Sequence, residues 1–101
     1  MAETLKQEAQ RVLANVPEEY VFRSCTGYIL HNMKELREEL QTMPNESYAF
    51  HVNMEKNDFF NWVRDIIKDD RLAKDLQKSP NQAQAAKLVA NRISILSKRL
   101  S

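Results

Sequence analysis

Apolar residues enter the chain at helical spacing. Leu5, Ala9, Val12, Leu13 and Val16 recur every three or four positions and predict a helix over residues 3–15. Pro17 ends it by disfavouring helical geometry in Val16. Its terminal position predisposes it to loose packing. The period then changes in "EYVFRSCTGYILH", where aromatic and β-branched residues surround Gly27. Glycine supplies the positive φ of a tight turn, so the stretch predicts a hairpin with strands at 20–24 and 28–31. Tyr20, Phe22 and Ser24 then share one face, with Val21, Arg23 and Cys25 on the other. "NMKELREELQTM" returns to helical spacing, with Asn32 as N-cap and Glu35 three residues on in capping-box position. Met33, Leu36, Leu40 and Met43 form its inward stripe; Lys34, Arg37, Glu38 and Glu39 are expected to face water. Pro44 and Asn45 interrupt it. "SYAFHV" alternates and predicts a third strand at 47–52, with Tyr48, Phe50 and Val52 pointing one way and Ala49 and His51 the other.

The second half reads as helices. Asn57 or Asp58 caps a helix over about 58–68 that carries Phe59, Trp62, Val63, Ile66 and Ile67. "KDD" interrupts it before a short helix with Leu72, Ala73 and Leu76. Ser79-Pro80-Asn81-Gln82 is a helix start signal, read as an N-cap serine followed by proline at the first helical position. The last helix, about 80–100, carries Ala86, Val89, Ile93, Leu96 and Leu100 at spacings of 3, 4, 3 and 4, a heptad-like seam. That seam packs on the domain's own sheet or first helix, or on a second copy. The sum is an α+β fold: a small three-stranded antiparallel sheet (hairpin 20–31 plus strand 47–52) covered by about five helices in one domain, 1–101.

Composition removes whole function classes. Gly27 is the sole glycine, which excludes a glycine-rich phosphate loop or dinucleotide fingerprint. Cys25 is the sole cysteine, which excludes an internal disulfide and a cysteine-based zinc site. No run approaches the ~18 apolar residues of a membrane span, and the first residues lack the apolar core of a secretory signal. A reducing cytoplasm is the expected location. The net charge of +1 is unevenly placed. Residues 78–101 hold five basic side chains and no acid, leaving −4 on the rest. Lys87, Arg92, Lys98 and Arg99 are therefore candidates for an anionic partner such as nucleic acid, although the domain as a whole is not basic and Arg92 and Arg99 lie on a different helical line from Lys87 and Lys98.

Candidate chemistry is thin. His51 and Asp58 flank a short loop, and a carboxylate that orients an imidazole makes a general base. Cys25 is the available nucleophile, but a working pair needs hydrogen-bond reach and a thiolate-stabilising setting. Asp58 also has a structural use at a helix start. His31 and His51 show no compact metal-ligand spacing, so neither a metal nor a cofactor is expected. The aromatics of "DFFNW" read as core, with Phe60 off the buried line; Phe60 or Tyr28, if exposed, suits a partner contact.

The stretches "FRSCTGYILHNMKELREELQTM" and "ESYAFHVNMEKNDFFNWVRDIIKDDRLAKDL" together resemble a family of small prokaryotic domains of unknown function. The likeness covers about residues 20–76 and runs through Cys25 and Gly27, the Lys34-Glu35-Leu36 helix, Tyr48 and His51-Val52, Asn57-Asp58-Phe59 with Trp62, and Asp70 with Leu72-Ala73. It implies no activity or ligand, but it implies that His51, Asn57, Asp58 and Trp62 form one linked feature. The function expected is a non-enzymatic protein-interaction or accessory module, contacting a protein or a second copy through Val89, Ile93 and Leu96 of the last helix, through Phe60, or through the open side of the sheet. Nucleic-acid binding by the last helix is the alternative, and a His51/Cys25 enzyme the third.

Overall fold

Short polar side chains start nearly every helix. The computed structural model describes residues 2–101. Helix α1 (Leu5–Leu13) opens at Thr4, whose hydroxyl accepts from the Gln7 N–H while the Gln7 side chain accepts from the Thr4 N–H. Asn32 opens α2 (Met33–Thr42) by accepting from the Glu35 N–H. Pro44 precedes α3 (Asn45–His51) without a side-chain cap. Asn57 opens α4 (Asp58–Trp62), Asp69 opens α5 (Asp70–Gln77) and Asn81 opens α6 (Gln82–Lys98). Each cap satisfies an N–H that has no partner inside its helix.

Strand β1 (Phe22–Arg23) pairs antiparallel with β2 (Ile29–Leu30), Phe22 opposite Leu30 and Arg23 opposite Ile29. Gly27 takes φ +99° at the turn between them. The class is α+β as expected, but the sheet has two strands among the described residues, not three. The predicted strand at 47–52 is α3. Its apolar positions satisfy both periods: Tyr48, His51 and Val52 are i, i+3 and i+4, and Tyr48 and His51 are buried while Phe50 points to solvent. Pro44, read as a breaker, supplies the carbonyl that accepts from the Tyr48 N–H and so starts the next helix. A single Val52–Asn57 bridge is what remains of strand pairing there. The described residues form six α-helices where five were expected.

Two further boundaries move. Helix α6 starts at Asn81 rather than Ser79, and Pro80 lies outside it. Asn81 is an equally good cap, and this register lets the Gln82 amide donate to the Leu40 and Met43 carbonyls at 2.9 and 2.7 Å, closing the C-terminus of α2. After Trp62 the chain widens into a π-helical turn, Val63–Ile67, and ends at Lys68 with φ 64°. The Val63 carbonyl accepts from both the Lys68 and the Asp69 N–H.

The core lies chiefly between α2 and α6. Met33, Leu36 and Leu40 of the predicted stripe and Val89, Ile93 and Leu96 of the predicted seam are all buried in it. Fully burying each such side chain stabilises by about 1.5–3 kcal/mol. Ala9 and Val12 bring α1 onto the same core, and α5 adds Leu72, Ala73 and Leu76. Glu39, expected to face water, is 3% exposed and receives the Thr26 hydroxyl at 2.5 Å. Among the described residues no helix is long and apolar enough to cross a membrane.

Candidate functional site

His51 ends α3 and is buried among aromatic rings, with Phe22 centred 5.1 Å and Phe59 5.2 Å away. Its Nε2 accepts from the Cys25 backbone N–H at 3.1 Å. A backbone N–H can only donate, so Nε2 carries the lone pair and the proton is on Nδ1. Nδ1 then donates to Asp58 Oδ2 at 2.9 Å. Asn57, rather than Asp58, caps α4, which leaves the Asp58 carboxylate for the imidazole. Partial burial alone pushes the Asp58 carboxyl up, but the hydrogen bonds from His51 and Lys56 outweigh it and hold it below the usual carboxylate range.

One imidazole thus joins the hairpin turn, α3 and α4. Trp62 belongs to the same junction: its indole is 5.7 Å from Phe22, and its Nε1–H donates to the Tyr20 carbonyl at 2.8 Å. His51 and Asp58 are hydrogen-bonded and Trp62 meets His51 through the Phe22 ring between them, whereas Asn57 caps α4 and donates to the Leu76 carbonyl. Neither ring nitrogen of His51 is left to take a proton from a substrate. The Cys25 thiol is exposed and turned to the Ser47 carbonyl, 3.7 Å away, rather than to the imidazole. Among the described residues no group of three or more His, Cys, Asp or Glu side chains converges as a metal site.

The residues of the last helix part company. Val89, Ile93 and Leu96 are interior. Arg92 is interior too and makes a two-pronged pair with Asp69, Nε to Oδ2 at 2.7 Å and Nη2 to Oδ1 at 3.2 Å. The sequence shows both charges but no local pattern that couples residues 23 positions apart. Arg99 pairs with Glu8 at 2.7 Å and so ties α6 to α1. Lys87 and Lys98 remain exposed. Phe60 is half-buried under the Arg64 guanidinium, 4.8 Å from its ring centre.

A different surface is open. A groove of about 400 Å³ runs between β2 and α2, lined by Tyr28, Ile29, Leu30, Glu35, Glu38, Glu39 and Thr42. Tyr28 is 69% and Ile29 41% exposed. Ser24 N–H donates to the Tyr28 carbonyl across the hairpin. By the alternation of an antiparallel ladder, Phe22–Leu30 is then a hydrogen-bonded pair, and the Ile29 N–H and C=O point outward along the free edge of β2. Two residues on, that same edge is occupied. The His31 carbonyl accepts from the Val16 N–H at 2.8 Å, and the His31 N–H donates to Glu35 at 2.6 Å, a bond that holds the Glu35 carboxyl below its ordinary value. Tyr28 is exposed, as a partner contact requires; the groove has no signal in the sequence, because Glu39 reads as a solvated charge until the hairpin is folded over it.

No protein-family model matches this chain, and neither a curated protein nor a solved structure matches it.

Proposed function

We propose that this chain is a small, cytoplasmic, non-enzymatic interaction module that holds another protein, and that its contact surface is the open side of the hairpin. The observation that carries this reading is the exposed Tyr28–Ile29 edge, an aromatic side chain beside unused backbone groups over a groove. Two facts support it. The His51–Asp58 pair is engaged on both nitrogens, which leaves an enzyme without its base. The seam of Val89, Ile93 and Leu96 is interior, which moves the contact from the last helix to the sheet. Of the four basic residues suited to nucleic acid, Arg92 and Arg99 are held by Asp69 and Glu8, so a phosphate track there reduces to Lys87 and Lys98. The likeness to small prokaryotic domains of unknown function remains part of this proposal and lends it no activity.

The test is affinity purification of the tagged chain from its source lysate, with and without nuclease. A stoichiometric protein that survives nuclease is the expected result. Recovery that vanishes with nuclease would overturn the reading in favour of nucleic acid.

A further inference from the structure

We infer that the groove between β2 and α2 takes an extended peptide segment bearing basic side chains, added as a strand to the free edge of β2. This rests on the interaction-module reading and names its ligand chemistry. Three observations meet in the groove. The first is the edge itself. At His31 the chain already lays its own Val16 backbone along this edge, and at Ile29, among the described residues, no backbone or side-chain group outside the hairpin reaches the outward N–H and C=O. A strand continuing from that point finds a donor and an acceptor in register. The second is charge. Every charged side chain lining the groove is a glutamate: Glu35, Glu38 and Glu39. Glu38 and Glu39 have no salt-bridge partner among the described residues. The third is Glu39. It is more than nine-tenths buried, its Oε2 takes the Thr26 hydroxyl, and no donor among the described residues reaches its Oε1.

A largely buried carboxylate with one oxygen on Thr26 and the other free of protein donors favours a cationic group brought to that free oxygen. A lysine or arginine on every second position of an extended segment would reach the α2 carboxylates while the intervening residues lie over Tyr28. A free polyamine would satisfy the charge but would leave the Ile29 N–H and C=O as they are, so a peptide fits better. The volume suits a few side chains rather than a folded domain.

The probe is a fluorescein-labelled peptide of Lys-Thr repeats, titrated against the whole chain by anisotropy and by amide chemical shifts. Expected results are saturable binding, shifts centred on Tyr28, Ile29 and Leu30, and a loss of affinity at raised salt. Glu38→Lys should weaken binding about tenfold, whereas Glu55→Lys, the same charge change on the α3–α4 loop, should leave it within about twofold. Matching circular dichroism of the two variants keeps the comparison independent of folding. Equal binding by a Glu-Thr repeat peptide, undiminished binding by Glu38→Lys, or shifts centred elsewhere would overturn the inference. So would equal binding by a Lys-Thr peptide N-methylated at alternate amides, because charge alone would then account for it. The two readings fail separately. A nuclease-resistant partner that is retained by Glu38→Lys removes this groove and leaves the interaction module; peptide binding without any protein partner in lysate does the reverse.

Discussion

His51 does with two nitrogens what a longer loop would otherwise need several hydrogen bonds to do. Removing it leaves the Cys25 N–H without an acceptor, the Asp58 carboxylate with Lys56 as its remaining donor, and a void between Phe22 and Phe59. His51→Ala is expected to cost about 3 kcal/mol in urea unfolding; a change within ~0.5 kcal/mol would show that the junction holds without it. Alkylation of Cys25 in folded His51→Gln should run within about twofold of the wild-type rate, because the thiol faces Ser47 and not the ring. Asp58 gives the junction a pH dependence. Its folded carboxyl titrates below the unfolded value of about 3.9, so the folded state binds fewer protons. Its contribution is complete above that value and is lost as the pH falls through the lower, folded one. Urea midpoints should therefore drop below about pH 4, and less steeply in Asp58→Asn. At Lys68 the backbone is left-handed at φ 64°, a conformation that glycine adopts without strain. Lys68→Gly should raise stability by about 0.5–1 kcal/mol in the same assay.

Helix α3 is where sequence and structure part most clearly. Its identity predicts opposite costs for neighbouring aromatics. Phe50, on the same face as Tyr48 in the strand reading, is 57% exposed, so Phe50→Gln should cost no more than about 1 kcal/mol. Tyr48→Ala removes a buried ring stacked 6.0 Å from Phe59 and should cost about 3 kcal/mol. Equal costs would restore the strand. The starts of α2 and α4 were legible because an asparagine cap is a local signal, whereas α6 opens at Asn81, two residues past the Ser79 read as its cap. The hairpin was legible from Gly27 and the change of period, although its ladder is only two residues deep. Helix α3 was not, because Tyr48, Phe50 and Val52 alternate as in a strand while Tyr48, His51 and Val52 fit helical spacing equally well. The His51–Asp58 contact could be anticipated, since seven positions and a short loop separate the two. Asp69–Arg92 and Thr26–Glu39 could not, because nothing local tells a charge on a helix flank that another element will cover it.

Across the whole molecule the buried Asp69–Arg92 pair fixes α5 to α6, and Glu8 draws in α1 through Arg99. Arg92→Ala leaves the buried Asp69 carboxylate without its cation and should cost about 3–5 kcal/mol. Lys87→Ala/Lys98→Ala should stay within about 0.5 kcal/mol per site, measured by urea unfolding. The placement of the core has a further consequence in time. Met33, Leu36 and Leu40 find their partners in Val89, Ile93 and Leu96, which belong to the last helix. A ribosome adding about 5–20 residues per second needs roughly 3–11 s to travel from Leu40 to Leu96. For that interval α2 has been made and the surface that covers it has not. The core between α2 and α6 therefore cannot close until α6 has been made, and for that interval the apolar stripe of α2 stays uncovered.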